Sequence, residues 1–267
     1  MLRDITIGQY YPADSILHKL DPRVKFVGTL VFVVSLFLVE SWGYLICTAF
    51  LVGSILLSKV PFRFMVKGLK AIFFLLIFTA VLNLLLTPGE SIWNFGILNV
   101  TKEGVHTAAA MAVRFVYLVL GASIMTLTTT PNKLTDGLEC LFSPLNKLHV
   151  PVHEVAMMMS IALRFIPILI EEADKIMKAQ MARGADFENG GIIQKAKALL
   201  PLLIPLFVSA FRRANDLAMA MEARCYRGAE GRTHMKPLAY KKRDFAAYIL
   251  LFAYLALLIV LKIILGI

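Results

Sequence analysis

The sequence predicts an all-α, polytopic membrane protein with about five transmembrane helices and a large cytoplasmic region of long helices between the fourth and fifth spans. Three observations carry that expectation. Of 267 residues, 58% are hydrophobic and 17% charged, with a mean hydropathy of +0.73, too apolar for an ordinary soluble domain. The apolar residues gather in runs approaching the roughly 20 residues of helix that cross a hydrocarbon core. Lysines and arginines gather at alternate ends of those runs, so the net charge of +10 reads as topology.

The N-terminal stretch MLRDITIGQYYPADS is polar and lacks a cleavage pattern, so the first apolar run is expected to be a retained span. Just before it, LDPR offers a helix start with Pro22 at the first helical position. Spans are expected at about Val24 to Val39, Tyr44 to Leu57, Ala71 to Leu86, His106 to Leu127 and Phe245 to Leu265. The first two are separated only by ESWGY, a tight helical hairpin with Trp42 and Tyr44 as interfacial anchors. Lys19, Arg23 and Lys25 precede the first span, Lys59, Arg63, Lys67 and Lys70 join the second to the third, and Lys241, Lys242 and Arg243 precede the fifth. The opposite side receives Glu40 and the nearly neutral loop TPGESIWNFGILNVTKEG. The positive-inside rule therefore places the N-terminus in the cytoplasm and the C-terminus outside. No basic-aromatic patch is left over for nucleic acid. Within the spans Asn83 and Arg114 are the strong polar residues; Arg114 either marks a site, snorkels, or bonds a neighbouring helix such as that of Asn83.

The organisation is thus a four-span base at 1–129, an insert at 130–243 and a C-terminal transmembrane helix at 244–267. The insert is too long for a loop without structure of its own. It opens with Thr130 as N-cap and Pro131 at the first helical position of a short helix reaching Phe142. Pro144 and Pro151 break the chain. A second helix then shows the period Val155, Met158, Ala162, Phe165, Leu169, Ala173, Ile176 and Met177. From Val152 to Arg183 it would run about 48 Å. It is apolar to Ile170 and charged from EEADK onward, and Arg164 and Pro167 interrupt the apolar half, so it is expected to lie at the inner interface without crossing. GADFENGG turns the chain into a third helix, Ile192 to Tyr226, kinked at Pro201 and Pro205.

The second and third helices end alike. EEADKIMKAQMARG aligns without gaps on RRANDLAMAMEARC, matching Ala173 with Ala214, Ile176 with Leu217, Ala179 with Ala220, Ala182 with Ala223 and Arg183 with Arg224. Glu171 and Glu172 stand opposite Arg212 and Arg213, which predicts that the helices cross and that these charges pair there. One arginine in a last helical turn is explained by the helix dipole, about 0.3 to 1 kcal/mol, with Gly184 as the ordinary residue past the end. Two in matching contexts point to contact with a partner, because a guanidinium on a small-residue tip forms bidentate bonds to carboxylates or carbonyls.

HKLDPRVK, TDGLE, VPVHEVAMMMSIALRFIP, KAQMARGADF and LLPLLIPLFVSAFRRANDLAMAMEARCYRG closely resemble the EcfT family, the transmembrane coupling components of energy-coupling-factor importers, related to CbiQ-type cobalt transport proteins. The likeness covers nearly the whole chain and is most specific from Pro131 to Thr233. It implies a subunit in a prokaryotic cell membrane whose coupling helices meet two ABC-type ATPases through Ala182, Arg183, Gly184 and Ala223, Arg224, Cys225. It further implies one substrate-binding membrane subunit seated at a time, exchangeable where the module is shared, and uptake of a vitamin or metal ion. Cys225 departs from the usual glycine, a change expected to be tolerated because Gly228 ends the helix nearby. The resemblance also offers Asp21, Pro22 and Arg23 as a brace between the coupling helices and the membrane base, beside the plain reading of a helix start.

No GxxxxGK[ST] occurs, so the energy must come from partners. No cofactor is implied, and membrane lipid is the surrounding partner. Cys47, Cys140 and Cys225 form neither a disulfide framework nor a zinc pattern. His149, His153 and Glu154 have Pro151 between the imidazoles and no third ligand, which leaves a membrane-embedded metal-dependent enzyme as a minor alternative. A self-contained permease with its own solute path is another. Met157, Met158, Met159, Met177, Met181, Met219 and Met221 suit either an adaptable partner surface or plain packing.

Overall fold

The computed structural model describes residues 10–39, 42–95, 98–185, 191–228, 235 and 237–265. Glu40, Thr233 and most of the turn GADFENGG lie outside them. The chain forms two units, one of Gly8–Gly137 with Leu238–Ile267 and one built on Leu138–Pro237. The division falls inside the short helix that opens the insert, so the start of that helix belongs with the base.

In the first unit, α1 (Pro22–Leu38) begins where Asp21 caps it: the Asp21 Oδ1 accepts the Arg23 amide at 2.9 Å and Pro22 occupies the first turn. α2 (Gly43–Ser58) stops where Lys59 turns left-handed at φ 54°. α3 (Phe62–Leu86) leads into a hairpin, β1 (Ser91–Phe95) antiparallel to β2 (Leu98–Thr101), within the segment expected to be a plain loop. Thr101 then caps α4 (Lys102–Thr128), accepting the Gly104 amide at 3.0 Å. α5 (Pro131–Phe142) begins as its Thr-Pro signal predicts. α8 (Lys242–Leu265) returns to pack against α1 and α2.

The core of this unit is Phe32 and Leu36 of α1, Cys47 and Leu51 of α2, Leu120 and Ile124 of α4, and Tyr254 and Leu258 of α8. Tyr254 stacks on Phe50 at 4.4 Å between ring centres, and its hydroxyl meets Ser35 Oγ at 2.7 Å and Cys47 Sγ at 3.3 Å. That knot satisfies the buried polar atoms of three helices at once. Apolar side chains point outward along α3 and α8, including Phe73, Phe74, Phe78, Ile249, Phe252 and Ile263. A face of this size is at home in a bilayer, where no backbone polar group is left unpaired by a helix.

Among the described residues, α4, α8 and α6 (Val152–Ala182) are each long and apolar enough to cross a membrane, and α3 makes a fourth when its two halves, bent by 59°, count as one span. This count, by length and composition alone, differs from the five expected spans on two points. α1 and α2, both expected as spans, have 17 and 16 residues, about 25 Å of helix, at the short end of what crosses a hydrocarbon core. α6, expected to stay at the interface without crossing, is long and apolar enough by that measure because it continues unbroken through Pro167, although it is charged from Glu171 onward.

The second unit holds α6 and α7 (Ile192–Ala223), which pack on one another. A 3-10 turn, Ser143–Leu148, and a left-handed His149 at φ 61° separate α5 from α6. His153 at the start of α6 pairs with Glu139 of α5, Nδ1 to Oε1 at 2.6 Å.

Candidate functional site

The Ala-Arg ends of α6 and α7 are the same structure built twice. In α6 the Gly184 amide donates to Met181 O and the Ala185 amide to Gln180 O, both at 3.0 Å. In α7 the Cys225 amide donates to Glu222 O at 2.8 Å and the Tyr226 amide to Met221 O at 3.0 Å. Each is a Schellman end, with the arginine as last near-helical residue and the next residue in the left-handed region, Gly184 at φ 87° and Cys225 at φ 55°. The terminal carbonyls are thus met by backbone amides. Neither arginine is needed to cap its helix, and both are exposed, taking no ion pair among the described residues.

This geometry corrects the expected role of Gly228. α7 ends at Ala223 because Cys225 itself turns the chain, not because Gly228 rescues it; Gly228 has a positive φ of 92° but lies beyond the cap. A side chain in the left-handed region costs roughly 1–2 kcal/mol, and the two amide bonds hold Cys225 there.

Of the four charges expected at the crossing, the structure brings two together. Arg213 donates to Glu172 Oε2 through Nη2 at 2.9 Å and Nε at 3.2 Å. Ser209, one turn before Arg213, donates its hydroxyl to the other carboxylate oxygen of Glu172. Glu171 and Arg212 are exposed and take no ion pair among the described residues. The reason is helical phase: adjacent residues point about 100° apart, so only one of each pair faces the contact.

Glu172 and Arg213 occupy equivalent positions in the gapless repeat, so the contact sits at the same point on both helices. Beside it runs a groove lined by Ile161, Phe165 and Leu169 of α6, all preceding Glu172, and by Ala210, Ala214 and Met221 of α7, all following Ser209. The helices therefore pass in opposite senses, and Arg183 and Arg224 lie beyond the contact in opposite directions. Each arm is about 17 Å at 1.5 Å per residue.

Asp21, Pro22 and Arg23 form a tight cluster in the first unit. Arg23 grips Asp21 through Nε at 3.0 Å and Nη2 at 2.9 Å, and its guanidinium lies 3.9 Å from the Tyr240 ring centre. The Asp21 amide donates to Asp244 Oδ1 at 2.9 Å, and Asp244 Oδ2 accepts the Lys241 amide at 2.7 Å. Pro22 sits against Gly137 of α5, where an added Cβ would approach the ring within 3.0 Å. The cluster ties the start of α1 to the start of α8 and to α5. Burial raises the Asp21 pKa, but the bonds from Arg23 outweigh it and hold the carboxyl below its ordinary value.

Sequence reasoning missed Asp244, Tyr240 and Ser209. Asp244 carried a signal, an acidic residue three positions after Lys241 that reaches back to cap it; Ser209 carried none. Arg114 stands 5.4 Å from the Phe37 ring centre, while Asn83 bonds back to Thr79 O on its own helix at 2.8 Å, so these two do not pair. Met158, Met159, Met181 and Met219 are exposed, and Met221 lines the groove.

Residues 13–235 match the CbiQ family, described as cobalt transport protein. The chain is 58% identical over 250 residues to an energy-coupling factor transporter transmembrane protein EcfT of Clostridium kluyveri, covering 92% of this chain and 93% of the relative. A protein of the same description from Ruminiclostridium cellulolyticum is 53% identical over 91% of this chain and 92% of its own. One from Bacillus subtilis is 47% identical over 98% of this chain and all of its own length, 100%. With its apolar helices, its twin arginine-tipped ends and these likenesses together, the chain belongs to the CbiQ family of transport proteins, among the energy-coupling factor transporter transmembrane proteins.

Proposed function

We propose that this chain transmits ATP-driven motion from two cytoplasmic ABC-type ATPases to a substrate-binding membrane subunit, for uptake of a vitamin or another micronutrient. The observation that carries the reading is the pair of matching tips at equal distances from the Glu172–Arg213 contact. Each tip presents one arginine whose helix end is already capped, so its guanidinium is available for a carboxylate or carbonyl in an ATPase groove. When the ATPases close on ATP, the two tips are displaced relative to each other. The contact acts as a fulcrum with arms of equal length, and motion at the tips is returned to the apolar halves of α6 and α7. There the exposed Met158 and Met159 and the apolar residues Leu203, Ile204, Phe207 and Phe211 offer an adaptable seat for the substrate subunit. The chain contributes no catalysis in this scheme, and the N-terminus and coupling region face the cytoplasm.

The difference between Gly184 and Cys225 at the turn favours two non-identical ATPases. The test is ATP-driven uptake in vesicles holding the assembled importer with Arg183→Glu, Arg224→Glu or both. Loss in each variant, with the chain still present in the membrane and folded, is expected. Full uptake by the double variant would overturn the assignment.

A further inference from the structure

We propose that the first unit carries a built-in site for one anionic phospholipid, between α1, α2, α4 and α8. The cavity there measures about 310 Å³, at the lower end of the range of small-ligand pockets, and its walls are almost entirely apolar. Val24, Phe32, Leu51 and Ile124 form its depth. Its edge carries Ile16, Leu57 and Leu250, which are 57%, 45% and 56% exposed. In a chain embedded in a bilayer, what meets an exposed apolar edge is an acyl chain, and a lipid tail matches this lining.

The polar lining decides which lipid. Lys25 and Arg243, at the starts of α1 and α8, both line the cavity. Lys25 Nζ donates to Thr128 O at 2.8 Å and to Thr129 Oγ1 at 3.2 Å, both neutral, and makes no direct ion pair among the described residues, which leaves one N–H to give. Arg243 is half-buried and takes no ion pair among the described residues. The nearest carboxylates act on Lys25 from beyond ion-pair distance and stay engaged elsewhere: Asp21 is held by Arg23, and Asp244 accepts the Asp21 and Lys241 amides. Two cations beside an apolar slot match a phosphodiester head with a single net negative charge above its acyl chain. A zwitterionic head brings its own cation to the same place and gains less.

The room in the slot comes from glycine. A Cβ added at Gly28 would meet nothing within 4 Å, although Gly28 lines the cavity. Gly28→Leu therefore fills the slot without a clash at its Cβ, whereas Arg243→Gln removes charge and leaves the slot open.

The experiment incubates the delipidated full chain with equimolar phosphatidylglycerol and phosphatidylcholine and reads retained lipid by native mass spectrometry, with a melting curve for each variant. Each cation near an anionic head is worth about fivefold. Wild type should retain phosphatidylglycerol over phosphatidylcholine by about twentyfold. Arg243→Gln should cut that to about fivefold, and Gly28→Leu, at an unchanged melting temperature, should retain neither. Excess inorganic phosphate should not displace the lipid, because the tail holds it. Equal retention of the two lipids by wild type, an unchanged preference in Arg243→Gln, or displacement by phosphate alone would each overturn the proposal. Should Gly28→Leu melt early, Arg243→Gln alone decides.

Discussion

Exchanging the charges of Glu172 and Arg213 tests whether their contact fixes the passage of α6 against α7. The pair is half-wet, with side-chain exposures of 23% for Glu172 and 41% for Arg213, so it cannot be valued as a buried ion pair. Two guanidinium bonds and the Ser209 hydroxyl converge on one carboxylate, which places the coupling near the top of the surface range, about 1 kcal/mol. Glu172→Arg alone sets two cations face to face, and Arg213→Glu alone sets two carboxylates. Each single change is expected to cost about 1–2 kcal/mol. The double variant restores opposite charges, and Ser209, one turn before position 213, can donate to the relocated carboxylate. A double-mutant cycle by thermal unfolding in detergent should therefore give a coupling energy close to the sum of the two single losses, about 2–4 kcal/mol. Strict additivity, with the double variant as unstable as the two losses together, would refute the reasoning.

Three further outcomes follow from the caps and the brace. Cys225→Gly should stabilise the tip of α7 by about 1 kcal/mol, seen as slower amide exchange at Cys225 and Tyr226, whereas unchanged exchange would contradict the left-handed turn there. Asp244→Asn puts an amide donor against a backbone amide it must accept, so a loss of about 1–3 kcal/mol is expected in the melting curve. Asp21 has a lowered folded pKa, so its contribution is complete above the unfolded carboxyl value of about 3.9 and is lost as pH falls through the lower folded value. The melting gap between wild type and Asp21→Asn should accordingly be constant near neutrality and close in strong acid; a gap that widens on acidification would reverse the assignment.

What the sequence disclosed was whatever a local signal encodes. Asp21-Pro22 announced α1, Thr130-Pro131 announced α5, and the recurring Ala-Arg fixed the ends of α6 and α7 to within a few residues. The Glu172–Arg213 contact was legible because the repeat can be aligned without gaps, but which member of each charged pair faces inward depends on helical phase at a crossing that sequence does not specify. The link from Asp21 to Asp244 spans 223 positions and joins elements that only the fold brings together. The hairpin β1–β2 went unread because charge counting treats it as a neutral loop. α1 and α2 run one and two residues longer than the apolar runs that announced them, because the helices start at Pro22 and Gly43 ahead of those runs, whereas α7 stops three residues sooner than expected because Cys225 turns the chain.

The central claim is that the two arginine tips hold two ATPases, one each. Native mass spectrometry of the complex, purified by a tag on this chain, counts them directly. The account predicts two ATPases on the wild type, one on either Arg183→Glu or Arg224→Glu, and none on the double variant. Two ATPases retained by the double variant would contradict it.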